Sequence, residues 1–190
     1  MRRYCGWLLL GVGLLGLTWP ALAVITADLP LKTILRNEFI FVAKVEKLDA
    51  DPEKPRMVLK LEENLKGKAP FEKLPVNLIA TSADGVKDKH TEVLLKRLAP
   101  DLPLVLFVFK KEDKYIAFVY TYGTWFQMHG AITDKNVVWS HFNCEPYLRK
   151  TFKGTTAELR QAIVDALANK KEPPPVDAKE KPGFGPEVKK

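Results

Sequence analysis

Short apolar runs rich in β-branched and aromatic residues recur along most of the chain, and charged, glycine-containing or proline-containing segments separate them. Such runs are typical of β-strands, whose side chains alternate between the two faces of a sheet. Residues 104–109 are six apolar residues in succession, which predicts a central strand covered on both faces. The predicted strands are 39–46, 57–62, 74–80, 104–109, 115–122, 124–129 and 137–140.

Three other segments have apolar residues at the spacing of an α-helix. Residues 28–36 predict a short helix, and residues 90–98 predict a second one that Thr91 caps. The third helix, residues 155–169, begins with a capping box in which Thr155 precedes a glutamate by three residues. The pattern therefore predicts one helix before the strands, one among them and one after them.

Breaks in the pattern predict how the strands begin, end and bend. Residues 82–85 predict a turn, and Gly123 predicts a bulge or a barrel corner between two strands. Pro75 belongs at a strand start or an edge, because proline has no N–H for a central ladder. Residues 170–190 are rich in proline, glycine and charge, which predicts a disordered, partly extended tail.

The first 23 residues have the three parts of a secretory signal peptide. Arg2 and Arg3 form a basic start, residues 7–17 are apolar, and small residues at 21 and 23 predict cleavage after Ala23. The alternative is a retained membrane anchor, but a spanning helix needs about 20 apolar residues and this run is shorter. We therefore expect a periplasmic or secreted protein.

Charge and cysteine content narrow the class of protein further. Cleavage would remove two of the 30 basic residues and none of the 23 acidic ones, so the net charge would fall from +7 to +5. The basic residues alternate with acidic ones and form no dense patch, which argues against nucleic-acid binding. Cleavage would also remove Cys5 and leave Cys144 alone, so we expect a domain that is stable without a disulfide.

The order of elements predicts a mainly β fold with helices, of the α+β class. We expect a Greek-key β-barrel of five to six strands, with a short N-terminal helix, one helix within the strand series and a C-terminal helix. The predicted organisation is a signal peptide over residues 1–23, one barrel domain over residues 24–169 and the tail over residues 170–190.

Residues 29–129 resemble the netrin-like, or tissue-inhibitor-of-metalloproteinase-like, OB-fold group in a cysteine-poor bacterial form. The resemblance is carried by a strand after a short helix, a strand that runs into a Leu-Lys-Gly turn, an apolar strand and a Gly-Thr-Trp-Phe segment. These segments are residues 39–45, 58–67, 104–109 and 123–126.

The resemblance implies a secreted binding or adaptor domain on an OB-type barrel. Animal inhibitors of this group use a disulfide-tethered cysteine at the mature N-terminus to chelate the zinc of a protease. This chain would instead begin at Val24, with no cysteine nearby. Protease inhibition by that mechanism therefore does not carry over to this sequence.

One cluster has the composition of a nucleophilic site, namely residues 141–145. Here His141 or His129 would activate a Cys144 thiolate, with Asn143 or Glu145 as the orienting group. Strand residues three apart point to opposite faces, so His141 reaches Cys144 only if the strand bends between them. We therefore favour a small, buried and inert cysteine.

Other candidate chemistry is weaker, and His90 is expected on a polar helix face with no functional role. A metal site built from His129, His141 and Cys144 lacks paired ligand spacing, so we expect no metal and no other cofactor. The acidic pairs at 62–63 and at 49 and 51 are better explained as solvated charge than as catalytic carboxylates. No nucleotide-binding, hydrolase or metalloprotease motif occurs in the sequence.

Aromatic residues are the remaining candidate for a ligand site. Five of them fall within twenty residues around Gly123, namely Tyr120, Tyr122, Trp125, Phe126 and Trp139. Exposed rings on an OB-type barrel stack on sugars or bases. The alternative is that these rings fill the core, which we favour for most of them. The candidate ligand-binding residues are Tyr120, Tyr122 and Trp125.

The sequence thus predicts a secreted or periplasmic, non-enzymatic and monomeric domain that binds a protein or glycan of the cell envelope. It predicts no nucleic-acid partner and no membrane span after cleavage. Two alternatives stay open. One is an exported thiol-dependent enzyme or redox protein that uses Cys144 with His141, and the other is an envelope-attachment protein that acts through residues 170–190.

Export has a direct test. Expressed with its own N-terminus in a bacterial host, the protein is expected in the periplasm or medium, and N-terminal sequencing should begin at Val24. An Ala23→Asp variant should stay uncleaved, because signal peptidase reads a small residue at that position. A wild-type chain that retains Met1 in the membrane fraction would contradict the assignment.

Overall fold

The computed structural model describes residues 28–133 and 136–189, so the predicted signal peptide lies outside the described residues. The chain forms seven strands and four α-helices in this part, with a 3₁₀ helix at Pro146–Lys150. The strands are β1 (Phe39–Asp49), β2 (Arg56–Lys66), β3 (Lys73–Asn77), β4 (Pro103–Lys111), β5 (Lys114–Thr121), β6 (Thr124–Ile132) and β7 (Val137–Cys144). The α-helices are α1 (Leu31–Ile34), α2 (Ala83–Lys87), α3 (His90–Leu95) and α4 (Thr156–Leu167).

The seven strands close into one barrel in the order β1-β2-β3-β7-β6-β5-β4, and β4 returns to pair with β1. All neighbours are antiparallel except β3 and β7, which run parallel. The mainly β barrel with few helices is confirmed, but five to six strands was too few. Each of the seven predicted apolar runs forms a strand of the barrel. The last four, β4 to β7, pair as consecutive antiparallel neighbours.

β4 is buried on both faces, as its uninterrupted apolar run predicts. Leu104, Leu106 and Val108 point into the barrel interior and belong to its core cluster. Val105 and Phe107 point outward into a second cluster, where α1 and α4 cover the barrel. The outer cluster also contains Leu31, Ile34, Tyr120, Trp125, Leu159 and Ile163.

Side-chain contacts define where α4 begins and hold it against the barrel. The predicted capping box of α4 is confirmed, since the Thr155 side chain accepts the Glu158 N–H and the Glu158 side chain accepts the Thr155 N–H. Arg160 on α4 then makes a bidentate pair with Glu63 on β2, with both N···O distances at 2.7 Å. These contacts fix the helix against the barrel wall.

The segment between β3 and β4 holds two helices instead of a turn and one helix. Ser82 caps α2 by accepting the Gly85 N–H at 2.8 Å, so the predicted turn at residues 82–85 is a helix start. Thr91 does not cap α3, because its hydroxyl instead accepts the Ala80 N–H at 2.8 Å. This hydrogen bond ties α3 to the chain that leaves β3.

Gly123 lies in a tight hairpin and not in a bulge. Thr121 and Thr124 pair across β5 and β6, so Tyr122 and Gly123 form a two-residue loop. Their φ angles are 41° and 80°, and positive values at both positions define a type I′ turn. Glycine adopts this conformation freely, whereas Tyr122 is strained in it.

The barrel closes through a short seam between β3 and β7. Only two residue pairs join these strands, Val76 with Trp139 and Asn77 with Ser140. A parallel ladder that continued toward the start of β3 would need an N–H from residue 75, and Pro75 has none. Pro75 therefore ends the pairing, in agreement with its predicted preference for an edge position.

The C-terminal tail makes contacts with the rest of the domain. Residues 170–189 have no helix or strand, but they lie along the domain. Backbone hydrogen bonds join Asp177 N to Lys150 O at 2.8 Å, Gly183 N to Pro146 O at 3.0 Å and Val188 N to Lys96 O at 2.9 Å.

Candidate functional site

Two of the three candidate aromatic residues are core residues. Tyr120 and Trp125 have no exposed surface and pack on each other with ring centroids 4.8 Å apart. The Trp125 indole N–H donates to Phe152 O at 3.0 Å, and the Tyr120 hydroxyl donates to Gly154 O. Burial raises the pKa of Tyr120 above its ordinary value. Neither ring is exposed in this arrangement, whereas stacking on a ligand needs an accessible ring face.

Tyr122 is the exposed member of the set, with 42% of its surface accessible. It lies at the tip of the β5–β6 hairpin, where its N–H donates to the Thr156 hydroxyl at 3.2 Å. Its carbonyl oxygen faces Gly185 of the tail. The region around Gly123 is therefore already occupied in part by the chain itself.

Cys144 and His141 do meet, although they are three residues apart in one strand. The pairing of β6 with β7 shifts register between Gln127 and Met128, which leaves Phe142 as an extra residue in β7. Both side chains therefore enter the interior, and the Cys144 Sγ lies 3.8 Å from the His141 Nε2. Both residues are fully buried.

The electrostatics of this pair favour neutral groups. Burial raises the pKa of the Cys144 thiol far above its usual range, and the nearby Glu145 charge adds to this shift. Burial lowers the pKa of His141 to about 4. The His141 Nδ1 donates to Leu78 O at 3.1 Å, so the unprotonated Nε2 faces the thiol. A thiolate–imidazolium pair is thus disfavoured in the folded protein.

His90 belongs to the same buried cluster, although it was expected on a polar helix face. It is 4% exposed, and its Nδ1 lies 2.6 Å from the Asn143 Oδ1. The Asn143 amide also donates to the Glu145 carboxylate at 3.5 Å. A sequence signal existed, because His90 precedes Leu94 and Leu98 by four and eight residues and shares their apolar face.

The other candidate chemistry is accounted for by ordinary contacts. His129 stacks on Phe142 at 4.2 Å and lies 3.2 Å from the Gln127 amide nitrogen. Glu62 pairs with Lys44 at 3.4 Å, and the Asp49 carboxylate accepts the Asp51 N–H at 3.1 Å. Within residues 28–133 and 136–189, no group of three or more histidine, cysteine or acidic residues is arranged to hold a metal ion.

A groove of about 1040 Å³ lies beside the β3–β7 seam. At its floor Phe71 contacts Tyr115 and Trp139 edge to face, with ring centroids 4.9 and 5.3 Å apart. Val138 and Ile132 line it with 59% and 38% of their surface exposed. Its charged lining residues are Arg56, Glu72 and Lys73.

Sequence reasoning missed this groove. Pro75 was the available signal, because a proline in an otherwise regular strand marks a side of that strand that is not fully paired. Trp139 was recognised as one of the clustered aromatic residues, but the distant Phe71 and Tyr115 join it only through the barrel. Their proximity follows from the pairing of strands that are far apart in sequence.

Comparisons with protein-family models, with curated proteins and with solved structures found no match to this chain. In the part of the chain that the structure describes, every helix is too short or too polar to cross a membrane.

The burial of Cys144 predicts an unreactive thiol. In the processed chain at pH 8, alkylation of Cys144 by iodoacetamide should be at least about a thousandfold slower than that of an unfolded cysteine, because the reaction requires local opening. Mass spectrometry of the native and guanidinium-unfolded protein measures both rates, with Cys144→Ala as the blank. Rapid native labelling with a midpoint below pH 8 would instead support a thiol-dependent activity.

The lowered pKa of His141 predicts a loss of stability in mild acid. The unfolded chain binds a proton near the ordinary pKa of 6.5, whereas the folded protein binds it only near pH 4. The free energy of unfolding should therefore fall between about pH 6.5 and 4, by on the order of 3 kcal/mol from this group. Below pH 4 this contribution should level off.

Urea unfolding at several pH values measures this loss. A His141→Gln variant should lack the His141 share of the slope, and His129→Gln provides the comparison because burial also lowers the pKa of His129 to about 4. Equal slopes in wild type and His141→Gln would show that the imidazole titrates normally in the folded state.

Proposed function

We propose that the protein is exported and works as a non-enzymatic binding domain whose seam groove holds an extended segment of a partner protein in the cell envelope. The observation that carries the proposal is the incomplete closure of the barrel between β3 and β7. Pairing between the two strands stops at Val76 and Trp139, and the groove lies beside the strand ends that do not pair with each other. Unpaired strand backbone is a common docking place for an added polypeptide strand.

The lining of the groove favours a polypeptide over a glycan. Phe71 and Trp139 are at most 9% exposed and turn their rings against one another, so they offer little open ring face to a sugar. Val138 and Ile132 offer exposed aliphatic surface, which suits apolar side chains on alternate positions of an extended segment. Arg56, Lys73 and Glu72 can fix polar groups of that segment at the rim.

Export is part of the proposal and rests on the N-terminal pattern of residues 1–23. An OB-type, netrin-like barrel is also part of it. The helices between β3 and β4 match the helix expected within the strand series. The two strands beyond the five of a simple OB barrel are a departure from that group.

The enzymatic alternative has less support from the same contacts. A thiol nucleophile needs access and thiolate character, whereas Cys144 is fully buried and burial raises its pKa. The cluster of His90, His141, Asn143 and Glu145 is better explained as a buried polar network that joins α3 to β7. In that case the network contributes to the structure by fixing how α3 packs against β7.

Site-specific photo-crosslinking tests the groove. Benzoylphenylalanine replaces Val138 in cells of the native host, and a second strain carries it at Val86, which is 63% exposed but lies outside the groove. We expect one defined protein adduct from position 138 and none from position 86. The yield of the adduct from position 138 should fall at least about tenfold when Ile132→Asp introduces a charge into the apolar lining.

The outcomes separate the candidate functions. Equal adducts at 138 and 86, or an adduct of position 138 with glycan strands, would contradict a polypeptide partner in the groove. The Cys144→Ala variant should crosslink as wild type does. Loss of the adduct in that variant, with an unchanged unfolding curve, would favour a role for the thiol.

A further inference from the structure

The chain's own C-terminal segment is held in a second groove by contacts typical of peptide recognition. The Gly183 N–H donates to Pro146 O at 3.0 Å, and the Gly185 N–H donates to the Thr124 hydroxyl at 3.0 Å. The Gly185 carbonyl accepts from the Arg97 Nε at 2.9 Å. The domain therefore hydrogen-bonds most backbone groups around residue 184, as a peptide-binding site does with an extended ligand.

Phe184 is the side-chain anchor of this segment. It packs against the barrel core, with its ring 6.1 Å from that of His90 in an edge-to-face arrangement. The Arg97 guanidinium lies over the same ring at 5.3 Å. Arg97 also donates to Val93 O at 2.8 Å, so α3 holds the guanidinium in place independently of the tail.

Gly185 makes the fit selective for glycine. A Cβ atom at this position would lie 1.8 Å from the Tyr122 carbonyl oxygen, which belongs to the strained turn of the β5–β6 hairpin. At Gly183 a Cβ atom would meet only the Arg149 Cδ, at 3.7 Å, which is an ordinary contact. The groove therefore requires glycine at position 185 but has room for a Cβ atom at position 183, on the other side of Phe184.

The remaining tail contacts include backbone hydrogen bonds of Asp177 and Val188, and ion pairs whose side chains are exposed or partly exposed. Glu180 lies 2.9 Å from Arg149 and 2.5 Å from Lys153, and Glu187 lies 3.8 Å from Arg97. Surface pairs of this kind contribute little to stability in water. The tail has no helix or strand of its own, so it can open at a lower free-energy cost than the barrel.

We propose that this groove is a recognition site for a partner polypeptide, and that the C-terminal segment occupies it as a competing internal ligand. The partner would present an extended Gly-aromatic-Gly sequence followed by proline and an acidic residue, as residues 183–187 do. Its backbone would replace that of the tail on Pro146, Thr124 and Arg97. The site is separate from the seam groove, so it stands or falls independently of the function proposed above.

Competition by the internal segment gives the proposal a measurable consequence. A tethered segment acts at a high effective concentration, in the millimolar range for short flexible linkers, and must be displaced before a second one binds. A partner peptide should therefore bind weakly to the wild-type chain. It should bind more tightly to a full-length chain whose own segment cannot seat.

Fluorescence anisotropy with a labelled peptide of residues 179–188 tests this directly. Full-length Gly185→Ala should bind the peptide at least about tenfold more tightly than wild type, because the Cβ atom excludes the internal segment but leaves the groove intact. Gly183→Ala is the matched control and should bind as wild type does. Full-length Phe184→Ala, which removes the anchor without a clash, should also bind more tightly than wild type.

Specificity is tested in the peptide. Replacing the phenylalanine or the second glycine of the peptide by alanine should abolish binding to full-length Gly185→Ala, whereas alanine at the first glycine should be tolerated. Equal affinity of wild type and Gly185→Ala, or no binding to both Gly185→Ala and Phe184→Ala, would overturn the proposal. Concentration-dependent dimers of wild type that disappear in Gly185→Ala would assign the groove to the tail of a second copy and overturn the partner assignment.

Discussion

The burial of β4 on both faces is the constraint on which the rest of the structure depends. A strand with apolar side chains on both sides is stable only between two apolar layers. Leu104, Leu106 and Val108 face the barrel interior, whereas Val105 and Phe107 face α1 and α4. The burial of Val105 and Phe107 therefore requires α1 and α4, which cover the outer face of β4.

The two layers also explain how the domain dispenses with a disulfide. The described chain has one cysteine, and it is buried and unpaired. Closure of the barrel gives every strand two neighbours, and α4 is tied to the wall by a capping box and by the Arg160–Glu63 pair. The seam at Pro75 is the place where this closure is least complete, and the seam groove lies beside it.

The elements that depend on local pattern were predictable, and those that depend on distant partners were not. All seven apolar runs are strands, and the α4 capping box begins its helix, because periodicity and capping are local properties. The helical spacing of His90 to Leu94 and Leu98 was a local signal of its burial, but its hydrogen-bond partner Asn143, 53 residues away, was not predictable. The rings of the seam groove were missed because they too come from segments that are far apart in sequence. The contacts of Phe184 were not visible in the composition of the tail, because composition averages over residues.

The aromatic residues near Gly123 have a role that differs from the one their clustering indicated. The buried Tyr120 hydroxyl accepts the Gly123 N–H at 2.8 Å, and Thr156 accepts the Tyr122 N–H, so the core and α4 both hold the hairpin turn. A turn held from both sides keeps the Tyr122 carbonyl in one position despite its positive φ. That carbonyl excludes any side chain at residue 185. Tyr120 thus acts from within the core as a positioning residue for the recognition groove, because the rigidity it gives to the turn is what makes the groove selective for glycine.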